Sequence, residues 1–235
     1  MLQQTANSNL THQLVRELGK AIICGDFSVG QGLPTEAEIC TKYDISRTAT
    51  REAVKMLAAK GLIISRPRKG ITVQSHEHWN LFDPDVLDWI LNSVPSLEML
   101  RDFLQLRLAI EPEAASLAAK YAQPEDISAI EEALNRMKAA EDGWEDSLQA
   151  DIDFHSAILR ASKNPFFVQL RSFIETALRV SIRFTNKFKG VDTASYVEHR
   201  KIFDAIAAGN RELAHKTSYI MEAEALLLIE NRLEN

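Results

Sequence analysis

Residues 31–73 read QGLPTEAEICTKYDISRTATREAVKMLAAKGLIISRPRKGITV, and this stretch decides the fold of the N-terminal part of the chain. Pro34-Thr35 opens a helix, with Thr35 at the N-cap and Glu38 three residues on, the pattern of a capping box. Asp44 breaks that short helix. Ser46 caps a second helix, which carries Arg47, Thr48, Thr50 and Arg51 in its first turns. Val54, Leu57 and Leu62 supply the buried side, and Gly61 stands where a left-handed glycine ends a helix. An apolar strand at Leu62-Ile63-Ile64, a basic turn at Arg66-Pro67-Arg68-Lys69-Gly70 and a second strand at Ile71-Thr72-Val73 follow. Helix, turn, helix and two-stranded wing in that order predict a winged helix-turn-helix. Arg47 and Arg51 fall at the leading end of its recognition helix, where base edges and phosphates lie.

Any small domain can hold two helices and a hairpin, so the charge distribution matters. Residues 1–75 carry ten Lys/Arg against six Asp/Glu, whereas the remainder carries seventeen against twenty-seven, within a chain of net charge −6. An acidic protein with a basic head fits binding to phosphate. The candidate DNA contacts are Thr35, Ser46, Arg47, Thr48, Thr50, Arg51, Arg66, Arg68, Lys69 and Gly70.

At 235 residues the length suits two domains, and 46% hydrophobic residues supply two cores. The two cysteines, Cys24 and Cys40, read as small buried hydrophobes at apolar helix positions rather than a redox pair or metal site. Met1–Asn9 is polar, reads as a frayed end and does not resemble a signal peptide. No run approaches the roughly 18 apolar residues of a membrane span, so a cytoplasmic location is expected. Three segments are read: a DNA-binding domain at 1–75, a linker with a short helix at 76–95, and a larger domain at 96–235. In the linker, Val86, Leu87, Trp89, Ile90 and Leu91 have amphipathic spacing. Trp79 and Trp89 anchor head to body, or else this helix crosses to a partner subunit.

From Ser96 onward the pattern is helical. Leu97, Leu100, Phe103, Leu104, Leu108, Ile110 and Ala114 define one long helix. Others are read from Pro124, over Trp144–Ala161, from Pro165 to about Phe184, and over Ala194–Ala208 and Asn210–Leu233, with a loop at Lys187–Thr193. The fold class is therefore mostly α: a winged helix-turn-helix followed by an antiparallel all-helical bundle. The first bundle helix is the expected dimer element, since winged-helix proteins usually bind paired half-sites.

The chemistry of the bundle is concentrated in a few residues. Asp151 and His155 are four apart on one helix face, and His199 follows in YVEHRKIFDAI. One carboxylate and two imidazoles suit a divalent metal such as Zn, Ni or Mn, although Asp-x-x-x-His also occurs in ordinary helices. Arg107 interrupts an apolar face, where an unpaired arginine is costly. It reads either as an anion receptor or as one half of an ion pair with Glu111. Arg179 and Arg183 are weaker candidates, and Ser195 lies one turn before His199.

The head resembles the GntR superfamily of bacterial transcriptional regulators. The residues that carry the resemblance are Leu33-Pro34-Thr35-Glu36-Ala37-Glu38, Ser46-Arg47-Thr48-Ala49-Thr50-Arg51-Glu52-Ala53 and Lys69-Gly70-Ile71-Thr72-Val73. The remainder resembles the FadR-type (FCD) effector domain, so that the likeness runs from about Leu10 to about Leu228. It implies DNA contacts at Arg47, Arg51 and Gly70, metal ligands at Asp151, His155 and His199, and an effector-binding arginine at Arg107. Two departures stand out. Ala37 occupies a position where many members carry arginine, and no histidine stands near Met221, where a last metal ligand usually lies; His215 comes too early. WNLFDPDVLDWIL resembles the linker of members that regulate sugar-acid catabolism.

These readings imply a homodimer on double-stranded operator DNA, controlled by a small carboxylate effector such as a hexonate. The effector would be held by Arg107, Asp151, His155, Ser195 and His199, directly or through metal. The alternatives are a metalloenzyme built on the Asp/His cluster and a constitutive architectural DNA-binding protein.

Overall fold

The computed structural model describes residues 2–93, 96–190 and 194–234, with only the backbone for residues 2–9 and 189. The chain separates into two compact units, Met1–Val94 and Pro95–Asn235.

The first unit opens with α1 (Leu2–Ile23). The expectation of a frayed end is corrected here: the helix starts at Leu2, and its apolar stripe Leu14, Val15, Leu18 and Ile22 is buried. Next come α2 (Glu36–Tyr43) and α3 (Arg47–Ala59). Thr35 closes the anticipated capping box: its hydroxyl accepts from Glu38 N at 3.3 Å while Glu38 accepts from Thr35 N at 2.7 Å. Asp44 ends α2 in the left-handed region (φ 50). Ser46 Oγ accepts from Ala49 N to start α3. Past α3, Gly61 has φ +76, and a Cβ there would lie 1.9 Å from the His78 carbonyl oxygen, so no other residue fits without a backbone shift.

The wing is an antiparallel hairpin of β1 (Ile63–Arg66) and β2 (Gly70–Val73), registered Ile63 on Val73 and Arg66 on Gly70. Leu33 N donates to Ile71 O at 2.8 Å and ties the segment before α2 to the wing. Cys24 and Cys40 depart from expectation: Cys24 follows the end of α1 and is exposed, and Cys40 is only half-buried.

The short helix α4 (Pro84–Ser93) buries Val86, Leu87, Trp89, Ile90 and Leu91. It packs on α1 within the first unit. An ideal Cβ on Gly19 would come within 2.1 Å of the Trp89 ring, so the indole lies flush against the backbone of α1. Lys60, just past α3, donates to Asp83 (2.7 and 2.8 Å) and Asp85 (2.8 Å). Burial alone would lower the Lys60 ammonium; the two carboxylates outweigh it and the net shift is upward. Trp79 also stays local, its indole N–H donating to Gln74 O at 3.2 Å.

The second unit is all helical in its described residues: α5 (Leu97–Tyr121), α6 (Pro124–Glu141), α7 (Ser147–Ala161), α8 (Pro165–Lys189), α9 (Tyr196–Ala207) and α10 (Arg211–Leu233). Helix α5 is central and touches α7, α8, α9 and α10. Phe154, Leu104, Leu134 and Leu159 are fully buried and anchor the core. Two boundaries differ from expectation. Asp146 caps α7, which leaves Trp144 exposed outside it, and α8 continues to Lys189 before Gly190 (φ 69) ends it. The loop expected over Lys187–Thr193 is thus helical at its start, and residues 191–193 lie outside those described.

Gly19 yields a test with an informative sign. On an open helix face, Gly→Ala stabilises by about 1 kcal/mol. Against Trp89, overpacking of about 1–3 kcal/mol opposes that gain. Gly19→Ala is therefore expected to lower the urea midpoint of the first unit, whereas a rise would show that Trp89 does not seat on α1.

Candidate functional site

The head offers a set of free charges. Arg47, Thr48, Arg66, Arg68, Lys69 and Gly70 are exposed. No ion pair engages Arg47, Arg66, Arg68 or Lys69 among the described residues. Arg51 is exposed and paired to Glu36 at 3.0 Å. An exposed pair of that kind is worth about 0–1 kcal/mol and yields readily to a phosphate. Thr35 and Ser46 serve as helix caps, a role compatible with exposure to DNA. Thr50 differs: it is fully buried, its hydroxyl donates to Ser46 O at 3.2 Å and lies 3.1 Å from Cys40 Sγ. It packs α2 against α3, and the structure does not bring it to the surface with the others.

In the second unit, the sequence candidates converge. Asp151 and His155 lie one turn apart on the inner face of α7, and His199 faces them from the first turns of α9. All three are about 95% buried. His155 Nε2 is 3.2 Å and His199 Nε2 3.3 Å from Asp151 Oδ1. Neither approach has hydrogen-bond geometry, so Asp151 Oδ1 and His199 Nε2 are buried without a partner. The opposite ring nitrogens are held. His199 Nδ1 donates to the Ser195 carbonyl at 2.8 Å, and His155 Nδ1 is paired with Glu111 Oε2 at 2.6 Å. Both imidazoles thus aim Nε2 at Asp151, and Phe154 packs edge-on against both rings.

This arrangement fits a metal ion. Ligands at 2.0–2.2 Å from one ion, at tetrahedral to octahedral angles, stand roughly 2.8–3.6 Å apart. Ring N–H groups donated to a carboxylate or a carbonyl are the usual outer support of histidine ligands. Asp151, His155 and His199 could therefore hold a divalent cation. Burial disfavours charge on His155, but Glu111 and Asp151 outweigh both burial and the nearby Arg107 and lift it to about 10. A metal would replace the Nε2 proton. Burial would raise Asp151, yet its histidine neighbours hold it well below the usual carboxylate range.

Arg107 is also buried, and its Nε and Nη2 are both engaged. Its Nε lies 2.5 Å from Glu111 Oε1, and its Nη2 lies 2.9 Å from Glu222 Oε1 and within 3.3 Å of both His155 ring nitrogens. The ion pair with Glu111 is the one the sequence suggested; Glu222 on α10 is a component that sequence reasoning missed. A signal for it exists: Ala214, Ser218, Glu222, Leu226 and Ile229 form the buried stripe of α10, and a carboxylate on such a stripe needs a partner. Met221, where the resemblance places a histidine, borders the same cavity.

The cavity measures about 330 Å³, inside the roughly 300–1,000 Å³ range of small-molecule sites. Arg107, Asp151, His155, Ser195 and His199 all line it. Ser195 contributes mainly as the cap of α9 and through its carbonyl. Arg179 and Arg183 do not border it; both are exposed, and Arg179 donates to Gln149 at 2.8 Å.

Residues 10–73 match the family described as bacterial regulatory proteins, gntR family, and residues 102–221 match the FCD domain. The chain is 33% identical to the galactonate operon transcriptional repressor of Escherichia coli over 220 residues, 92% of this chain and 95% of that one. The chain belongs to the GntR family and carries an FCD domain. It is also 33% identical to the Uxu operon regulator of Haemophilus influenzae, over 69% of this chain and 59% of that protein. Among solved structures it resembles Lar of Listeria monocytogenes, with a TM-score of 0.54 at 17% identity, covering 94% of this chain and 96% of that one. The matched families and curated relatives are regulators of transcription rather than enzymes, which sets aside the metalloenzyme alternative. No described helix is long and apolar enough to cross a membrane.

Occupancy of the cluster is directly measurable. Zinc(II) or nickel(II) at a hundredfold excess over its Kd should stabilise the protein by about 2.7 kcal/mol, read as a rise in Tm. His199→Ala should abolish that rise; an equal rise in the variant would place the metal elsewhere.

Proposed function

We propose that this DNA-binding transcriptional regulator represses a sugar-acid or related carboxylate catabolic operon, and that a small carboxylate effector bound in the bundle releases it. The observation that carries the reading is the cluster of buried acceptors, Asp151, His155 and His199, bordering a cavity beside Arg107. A divalent metal on those acceptors (Zn, Ni or Mn) would supply a Lewis-acid site for a carboxylate and a neighbouring hydroxyl. Ser195 would contribute to the same wall. The printed functions of the galactonate and Uxu relatives favour a hexonate or a similar sugar acid.

In this reading, residues 1–75 hold DNA, 76–95 connect, and 96–235 bind effector and mediate dimerisation. Thr35, Ser46, Arg47, Thr48 and Arg51 with the wing residues Arg66, Arg68, Lys69 and Gly70 meet the operator. A homodimer presents two heads to paired half-sites, and the protein works in the cytoplasm, where the DNA is. Effector binding alters affinity for DNA only to the extent that the effector prefers one arrangement of the heads over another.

The test is binding of the purified protein to its own upstream DNA. Galactonate, other hexonates and related hydroxy acids are added, with and without chelator. Release by one acid supports the reading, and loss of that release in chelator assigns it to metal. DNA binding insensitive to every acid removes the carboxylate reading. Arg47→Ala and Arg51→Ala should each weaken operator binding by at least tenfold, about 1.4 kcal/mol, with the bundle still folded. Full affinity in both variants would move the recognition surface elsewhere.

A further inference from the structure

Among the described residues bordering the cavity, Arg107 is the one arginine, and a carboxylate of the protein already occupies it. Glu222 lies on the inner face of α10 with 1% of its surface exposed. Its carboxylate has a single hydrogen-bond donor, Arg107 Nη2 at 2.9 Å. Glu111 is held differently, by Arg107 Nε on one oxygen and, on the other, by His155 Nδ1 at 2.6 Å and more weakly by the shared Arg107 Nη2 at 3.2 Å. The two acids that share Arg107 are thus unequal: one is locked by two partners, the other is tethered by one contact and faces open volume beside Met221 and Ala225.

The charge of the cluster points the same way. Asp151, Glu111 and Glu222 are three buried carboxylates set against one buried guanidinium, Arg107, and the imidazole of His155. Glu141 and Glu198 add two more acids to the wall. A further carboxylate entering as an anion meets repulsion unless one already present withdraws.

We infer that Glu222 is a tethered competitor: its carboxylate fills the edge of the Arg107 guanidinium that receives an effector carboxylate, and the effector binds by displacing it. The inference rests on the carboxylate-effector reading above for its biological use, but not for its chemistry. Displacement frees the Glu222 side chain from α5, so ligand entry is coupled to the contact between α5 and α10. Affinity for acids is set below what Arg107 alone would give, and monocarboxylates too weak to compete with Glu222 are rejected.

The test uses the full-length protein and two probes, sodium acetate and galactonate. Acetate is titrated into wild type, Glu222→Gln, Glu222→Ala and the double variant Arg107→Gln with Glu222→Ala. Sodium chloride at matched ionic strength is the control, and Tm is the readout. The expected result is an acetate-specific rise in Tm of several degrees in the single variants, absent from wild type and from the double variant. Glu222→Gln should also bind galactonate at least tenfold more tightly than wild type in calorimetry. No acetate increment in either single variant, or the same increment in wild type, overturns the assignment. Where galactonate binds wild type, binding that is unchanged or weaker in Glu222→Gln also overturns it, and marks Glu222 as a plain structural tie between α5 and α10. Should acetate stabilise the single variants while galactonate binds neither wild type nor Glu222→Gln, the tethered competitor stands and the galactonate reading fails.

Discussion

A guanidinium inside a helical bundle sets the terms for everything around it. Arg107 is drawn out of water by its position on the central helix, and a charge in that place is tolerated only if carboxylates surround it. Glu111 one turn on and Glu222 from the last helix, α10, supply them. Glu111 then orients His155 through Nδ1, and His155 turns its other nitrogen toward Asp151. Each step follows from the one before. Removing Arg107 alone would leave Glu222 without a partner and Glu111 with His155 alone, a loss of about 3–5 kcal/mol for a broken buried pair. The polar cluster and the helix packing are in this sense one structure.

The head obeys a different constraint. Arg47, Arg66, Arg68 and Lys69 have no carboxylate partner among the described residues and Arg51 and Lys55 make only exposed pairs, while the buried Lys60 is tied to Asp83 and Asp85. Desolvated pairing thus serves to fix the chain after the wing, and solvated charge serves to meet a polyanion. The short helix α4 joins this unit through Trp89 on Gly19, a contact that depends on α1 having no side chain there.

Local signals made the fold legible. Thr35 and Ser46 with their following residues marked two helix starts, Gly61 and Asp44 two helix ends, and the alternation around Arg66–Gly70 the wing. Asp151, His155 and His199 were legible as a set through the family resemblance, since Asp-x-x-x-His by itself also occurs in ordinary helices. What stayed hidden was long-range. Glu222 lies 115 residues from Arg107 in sequence, and nothing local announces the pairing except its place on a buried stripe. Thr50 was misread for a related reason: its spacing puts it beside Arg51, but α2 covers it, and only the packing of two helices decides which of two neighbouring residues meets solvent.

The wing tip carries one further implication. Arg68 sits at φ 63, in the left-handed region that glycine and asparagine occupy at low cost and that costs other residues about 1–2 kcal/mol. A neutral glycine would relax this turn, as Gly70 two residues on already does at φ 80. The chain instead holds a long cation in an unfavourable backbone state at the outermost point of the hairpin. The wing is therefore a loaded probe rather than a relaxed one. Its reach and its charge are maintained against the backbone's own preference, and the energy held in the turn remains when no DNA is bound.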